Sequence, residues 1–158
     1  MRNLIIGFAS LAALGTAMPA AAATVVNQDM TVTLNVANTC TLAVNNLTFN
    51  ANFIGGTAVD AQSSAVAKCT KDTAYNVTFG DGANVASGQR NMKNGTVLVP
   101  YNLYSDSGRT AALSSSTQIP GTGTGSDQTI NVYGRIPASA AAVAAGQYTD
   151  TVTVTLTY

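Results

Sequence analysis

No histidine, tryptophan or glutamate occurs anywhere in this chain, and charged residues of all kinds make up only 9% of it, against about 25% in an ordinary soluble protein. Each absence excludes something. Without histidine the chain lacks the side chain that most often moves protons or binds metal near neutral pH. Without glutamate, all seven acids are aspartates, at 29, 60, 72, 81, 106, 127 and 150. They lie scattered, mostly beside turn residues, where a carboxylate usually bonds to nearby backbone. "GDGAN" (80–84) and "SDSG" (105–108) look like fragments of calcium loops but lack the spacing and the bidentate glutamate of an EF-hand; both read as plain turns. No phosphate loop or nucleophile elbow is present. These absences argue against an enzyme and against any cofactor or bound metal. The formal net charge of zero, with no basic cluster, argues against a nucleic-acid partner.

Cysteine is scarce too: Cys40 and Cys69 are the whole complement. Their spacing is not that of a metal site. The N-terminus bears on their state, because Met1-Arg2-Asn3 carries a positive charge and Leu4 to Leu14 is an apolar run too short to span a bilayer. Ala21-Ala22-Ala23 then supplies a small-residue cleavage site. Residues 1–23 therefore read as a secretory signal peptide, and the rest has no candidate for membrane insertion. In an oxidising compartment the two cysteines are expected to form one disulfide. Closing a loop of about 30 residues is worth roughly 3.5 kcal/mol in the chain-entropy picture.

What the chain does have is threonine, 22 residues of it, and alternation. Thr favours pleated surfaces over helices, and a neutral, hydroxyl-rich surface suits an extracellular protein that packs against its own copies. Val26, Met30, Val32, Leu34 and Val36 share one face of a first strand. "TLAVNNLTFN" gives Leu42, Val44, Leu47 and Phe49, interrupted at Asn45-Asn46. "SSAVAKC", "AYNVTFGDG", "TVLVPYNLYSDSGR" with its edge-type Pro100, and "QTINVYGRIP" follow. A last strand runs from Thr149 to Tyr158. About eight short strands separated by turn signals indicate an all-β sandwich. The Ser/Thr/Gly-rich stretch 114–127 reads as a mobile surface loop, and 137–147 as a loop with a helical turn. Three Asn-x-Thr triplets, at 46, 76 and 94, are what a Thr-rich chain produces by chance.

The tetrapeptide TVTL occurs twice, at 31–34 and 153–156. The first copy could pair at home as an ordinary first strand. Against that, no tight hairpin signal follows it, and the last strand is apolar enough to be an aggregation hazard if its edge stays bare.

The blocks "NVANTCTL", "AVAKCTKDTAYNVTFGDG", "VPYNLYSDSGRT", "NVYGRIPA" and above all "GQYTDTVTVTLTY" resemble the spore coat protein U domain family, which includes the rod subunits of archaic chaperone–usher pili. The Trp that often follows the Tyr-Asn-Leu-Tyr block in that family is missing, with Leu113 and its neighbours in its place. The resemblance implies an incomplete immunoglobulin-like sandwich lacking its final strand and completed by donor-strand exchange. Residues 24–36 would be the donor strand and 37–158 the pilin domain. Val26, Met30, Val32, Leu34 and Val36 would be the plugs, and Val152, Val154, Leu156 and Tyr158 would line the acceptor groove. The implied partners are identical or related pilin subunits, a periplasmic chaperone and an outer-membrane usher, with export through the periplasm to a surface fimbrium serving adhesion and biofilm formation. One domain plus one donor strand fits a rod subunit better than a tip adhesin with an added binding domain. The alternative is a secreted surface-coat or carbohydrate-binding domain of the same fold that complements itself.

Overall fold

The computed structural model describes residues 21–50 and 53–158; the signal-peptide reading falls almost wholly outside them. Two units are distinguished, residues 1–34 and residues 35–158. Residues 21–34 of the first adopt no strand or helix, and every one of them is exposed. The first strand expected from the alternation is therefore not part of any sheet.

The second unit holds eight strands: β1 (Cys40–Val44), β2 (Val59–Cys69), β3 (Ala74–Phe79), β4 (Arg90–Asn94), β5 (Val97–Tyr104), β6 (Ile119–Thr122), β7 (Gln128–Ile136) and β8 (Val154–Thr157). They form two antiparallel sheets, ordered β1-β2-β7-β5-β4 and β6-β3-β8. The period of two decides which residues face inward. Tyr75, Val77 and Phe79 of β3 are buried, as are Val99, Tyr101 and Leu103 of β5, while the residues between them are more exposed. Ala65, Ala67 and Cys69 of β2 and Val132 and Ile136 of β7 complete the shared core. The architecture is the expected incomplete immunoglobulin-like sandwich, open along one side.

β2 and β7 pair over nine residues, Val59–Ala67 against Ile136–Gln128, and form the middle of the larger sheet. Cys40 lies directly opposite Cys69 in the β1–β2 register, and the two are joined as a disulfide. β1 stops where Asn45-Asn46 interrupts the pattern. The Asn45 N–H donates to the Ser64 carbonyl, and the Ser63 hydroxyl bonds to the carbonyls of Asn45 and Asn46. Pro100 sits where β5 has β4 on one side and no β7 on the other, because β7 joins only from Asn102 onward. A residue with no N–H is tolerated at such a one-sided position.

Several expectations are corrected. The stretch 114–127 is not simply a mobile loop: Ile119–Thr122 forms β6, paired with β3. Leu113, at its entrance, is among the largest fully buried side chains, so an aliphatic residue fills the core there. β4 was not foreseen. It pairs with β5 around the two-residue turn Gly95-Thr96, with Gly95 at φ 57°, and a glycine at the first loop position is its sequence signal. The segment 137–147 holds one hydrogen-bonded turn, from the Ala140 N–H to the Pro137 carbonyl, and no helix. The last strand is shorter than expected. Thr149 bridges to Lys93 in the larger sheet, and the chain then crosses to become β8 in the smaller one.

Candidate functional site

β8 is an edge strand, with β3 on one side and no strand on the other among the described residues. β1 is likewise at the edge of its sheet. Between the two margins the sandwich opens into a groove of about 1200 Å³, bounded by residues 44–49, 53 and 54 on one wall and 143–152 and 154 on the other. Its floor is the underside of the core: Phe79 from β3, Val99, Tyr101 and Leu103 from β5, and Val132 and Ile136 from β7.

Each wall has a local cause. After the Asn45-Asn46 break, Leu47 and Phe49 leave the strand and fold over the sheet onto Gly134 of β7. A Cβ there would lie 2.8 Å from Phe49 Cζ and 3.0 Å from the Leu47 methyls, so glycine lets the wall approach the sheet this closely. Phe49 meets the floor residue Tyr101 edge-on, ring centres 6.2 Å apart. On the other wall, 151–153 follow β3 past its end: the Gly80 N–H donates to the Thr153 carbonyl and the Ala83 N–H to the Thr151 carbonyl. Asp150 secures the crossing between sheets. Its carboxylate accepts the Tyr101 hydroxyl at 2.6 Å and the Asn84 backbone and side-chain N–H groups, each at 3.0 Å. Burial first, and the Asp150 carboxylate second, raise the Tyr101 pKa well above its ordinary value of 10.0.

Of the residues assigned to the acceptor strand, Val152 and Val154 line the groove. Leu156 packs against the core farther along, and Tyr158 is 59% exposed. The residues assigned as plugs, Val26, Met30, Val32, Leu34 and Val36, are each between 69% and 85% exposed. Most of the groove was not legible in the sequence. Leu47, Phe49, Phe53 and Tyr148 were read as strand or left unassigned, and Val143 fell in a segment read as loop; all five line it. A recognisable signal existed only for Leu47 and Phe49, whose alternation is out of step with Leu42 and Val44.

The aspartates divide as their surroundings require. Asp106 caps its own turn, accepting from the Thr110 and Ala111 N–H groups at 2.9 and 2.7 Å. Asp60 was not expected to do more than this, yet it sits in β2 and takes two bonds from the Arg135 guanidinium, at 2.7 and 2.9 Å. That contact holds its carboxyl below the usual range. Arg90 is the buried cation among the described residues. It donates to the carbonyls of Phe79, Gly80 and Leu113, fastening β4 to the end of β3. Among the described residues no group of three or more His, Cys, Asp or Glu is arranged to hold a metal. No helix among them is long and apolar enough to cross a membrane.

Comparison with curated proteins finds no match. Among solved structures, the fold is similar to a chain in the crystal structure of the CsuC–CsuE chaperone–tip adhesion subunit pre-assembly complex from archaic chaperone-usher Csu pili of Acinetobacter baumannii. The TM-score is 0.59 at 22% identity, over 78% of this chain and 40% of that one. This chain thus spans less than half the length of the chain it resembles. The model of the Spore Coat Protein U domain matches residues 26–155, from Val26 in the exposed segment to the middle of β8, and the protein therefore belongs to the Spore Coat Protein U domain family.

Proposed function

We propose that the protein is a structural subunit of a surface pilus that polymerises by donating residues 24–36 to the open groove of a neighbouring subunit. The observation that carries this reading is a groove of about 1200 Å³ floored by core side chains in a chain that also keeps five apolar side chains in alternation out of any sheet. An apolar groove beside a free strand edge is what a donated strand fits: backbone bonds extend the ladder and alternate side chains fill the floor. Burying five such side chains is worth about 7–15 kcal/mol before ordering costs, at ~1.5–3 kcal/mol each.

The course of the chain favours a neighbour over a fold-back. The groove begins at the Val44 end of β1, whereas residues 37–39 leave from the Cys40 end. Thr70 holds them there, its hydroxyl on the carbonyls of Ala37 and Thr39 and its N–H on the Thr39 carbonyl. The Thr73 hydroxyl holds Asn38. Self-complementation would need this segment to reverse.

The partners in this reading are copies of the chain or related pilins, a periplasmic chaperone that occupies the groove during export, and an outer-membrane usher. The location is the cell surface. The likeness to a complex from chaperone-usher pili supports this assignment. The test is to secrete the mature chain with its chaperone and usher and run it unboiled on a detergent gel. A ladder that collapses on heating is expected. Deleting residues 24–36, or Leu34→Asp, removes the ladder and leaves a chaperone-bound monomer. A stable, monodisperse monomer from the untruncated mature chain without chaperone would overturn the proposal in favour of the self-complemented domain.

A further inference from the structure

The two sides of the proposed joint each carry one methionine. Four methionines occur in the whole sequence. Met1 and Met18 fall within residues 1–23, read as a signal peptide, so Met30 and Met92 are the full complement of the mature chain. Met30 stands in the alternating segment 24–36 and is 85% exposed. Met92 is on β4, directly opposite Val99 of β5. It is half-buried, packs against the core and lines the groove. Cys40 and Cys69 are closed off as a disulfide, which leaves these two thioethers as the readily oxidised sulfurs of the mature chain.

A thioether side chain is apolar and flexible, and so fills an irregular apolar surface well. It is also open to oxidation by a peroxide without any catalytic group. The sulfur lone pair attacks one oxygen of hydrogen peroxide, an S–O bond forms and the O–O bond breaks. The released hydroxide takes the proton from the transferred oxygen and leaves as water. Sulfur is oxidised by two electrons and the peroxide is reduced. The sulfoxide that results is polar and accepts hydrogen bonds. On the groove floor Phe79, Val99, Leu103, Val132 and Ile136 offer no side-chain donor, and the Tyr101 hydroxyl is already given to Asp150. An oxidised plug would therefore bury an acceptor with no partner.

We infer that Met30 is an oxidation site that decides whether a subunit can enter the fibre. The thioether form plugs a neighbour's groove and the sulfoxide form does not. A closed joint buries Met30 and covers Met92, so peroxide halts growth of a fibre without taking it apart. The block is reversible, because sulfoxide reductases return methionine sulfoxide to the thioether. This inference rests on the donor-strand reading above.

The test treats the chaperone-bound, full-length mature chain and the finished fibre separately with dilute hydrogen peroxide. Peptide mass spectrometry then reads sulfoxide at Met30 and Met92. Met30 is expected to oxidise in the unassembled subunit and to stay reduced in the fibre. Supplied to the usher and run unboiled, the oxidised subunit should give about 10–100-fold less ladder than the untreated one, equivalent to one buried acceptor left unpaired. Treatment with methionine sulfoxide reductase should restore the ladder. Met30→Leu keeps an apolar plug of similar volume and should assemble with or without peroxide, which separates Met30 from oxidation of Met92, the chaperone or the usher. An undiminished ladder from subunits whose Met30 is measured as sulfoxide, or the same loss in Met30→Leu, overturns the inference and leaves the donor-strand reading standing. No ladder from the untreated subunit, or Met30 as reactive in the fibre as before assembly, overturns both.

Discussion

Tyr101 donates its hydroxyl hydrogen to Asp150 across the line where the chain passes from one sheet to the other. The ring belongs to the groove floor and the carboxylate to its wall, so one bond ties the two together. Hydrogen bonds to charged groups contribute about 1.5–3 kcal/mol, and Tyr101→Phe should destabilise the fold by roughly that amount, read as a shift in denaturation midpoint. The pH dependence is a separate check. With its pKa raised in the folded state, Tyr101 keeps its proton where the unfolded chain begins to lose one, above about pH 10. Its contribution is therefore complete below that pH and lost as pH climbs toward the folded pKa. Tyr101→Phe should abolish that part of the alkaline loss, and an unchanged alkaline profile would contradict the assignment. Nothing local marks Asp150 for this task. "YTDT" reads as alternation, and its partners are 49 and 66 residues away.

At the scale of elements, alternation was enough to find β3, β5 and β7, because a half-buried strand writes its period into its own residues. It failed where a strand depends on its partner. β6 is Ile-Pro-Gly-Thr, too short and too broken by proline and glycine to show a period, and it exists because β3 supplies the ladder and Gly121 makes room for Tyr75. In the other direction, residues 26–36 have the best alternation in the chain and form no strand, since a period states that a face wants burial and not where. Register is the property this makes testable. Because side chains alternate strictly, one residue inserted between Thr31 and Val32 would turn Val32, Leu34 and Val36 away from the face shared with Val26 and Met30. A two-residue insertion keeps all five on one face. The single insertion should remove the detergent-gel ladder and the double insertion should largely retain it; equal ladders would speak against a register-specific joint. The Cys40–Cys69 bridge, between directly opposed residues of β1 and β2, makes a further prediction. Cys40→Ser with Cys69→Ser should cost about 2–4 kcal/mol, measured by chemical denaturation of the assembled form, and leave the register of assembly unchanged.

For the whole molecule, the class of sandwich was legible and the groove was not, because a groove is made by what several distant segments leave uncovered. Leu47, Val99, Val132 and Val152 come from four separate stretches and meet only once both sheets are in place. The proposal that residues 24–36 complete this surface can be tested without a fibre. Remove them from the N-terminus and append them after Tyr158 through about four Gly/Ser residues, the length of a short hairpin loop. β8 is the edge strand at the groove, so a hairpin from its end runs the appended segment back beside Val154 and Val152 with no crossing of the sandwich. The same five apolar side chains would then be buried in cis, and no free donor would remain to feed a neighbour. The rearranged chain should be monomeric without chaperone and give no detergent-resistant ladder. It should melt at least about 10 °C above a rearranged control carrying Leu34→Asp and Val32→Asp, a gap of a few kcal/mol for a domain of this size. If the two melt together, the groove is not completed by this segment.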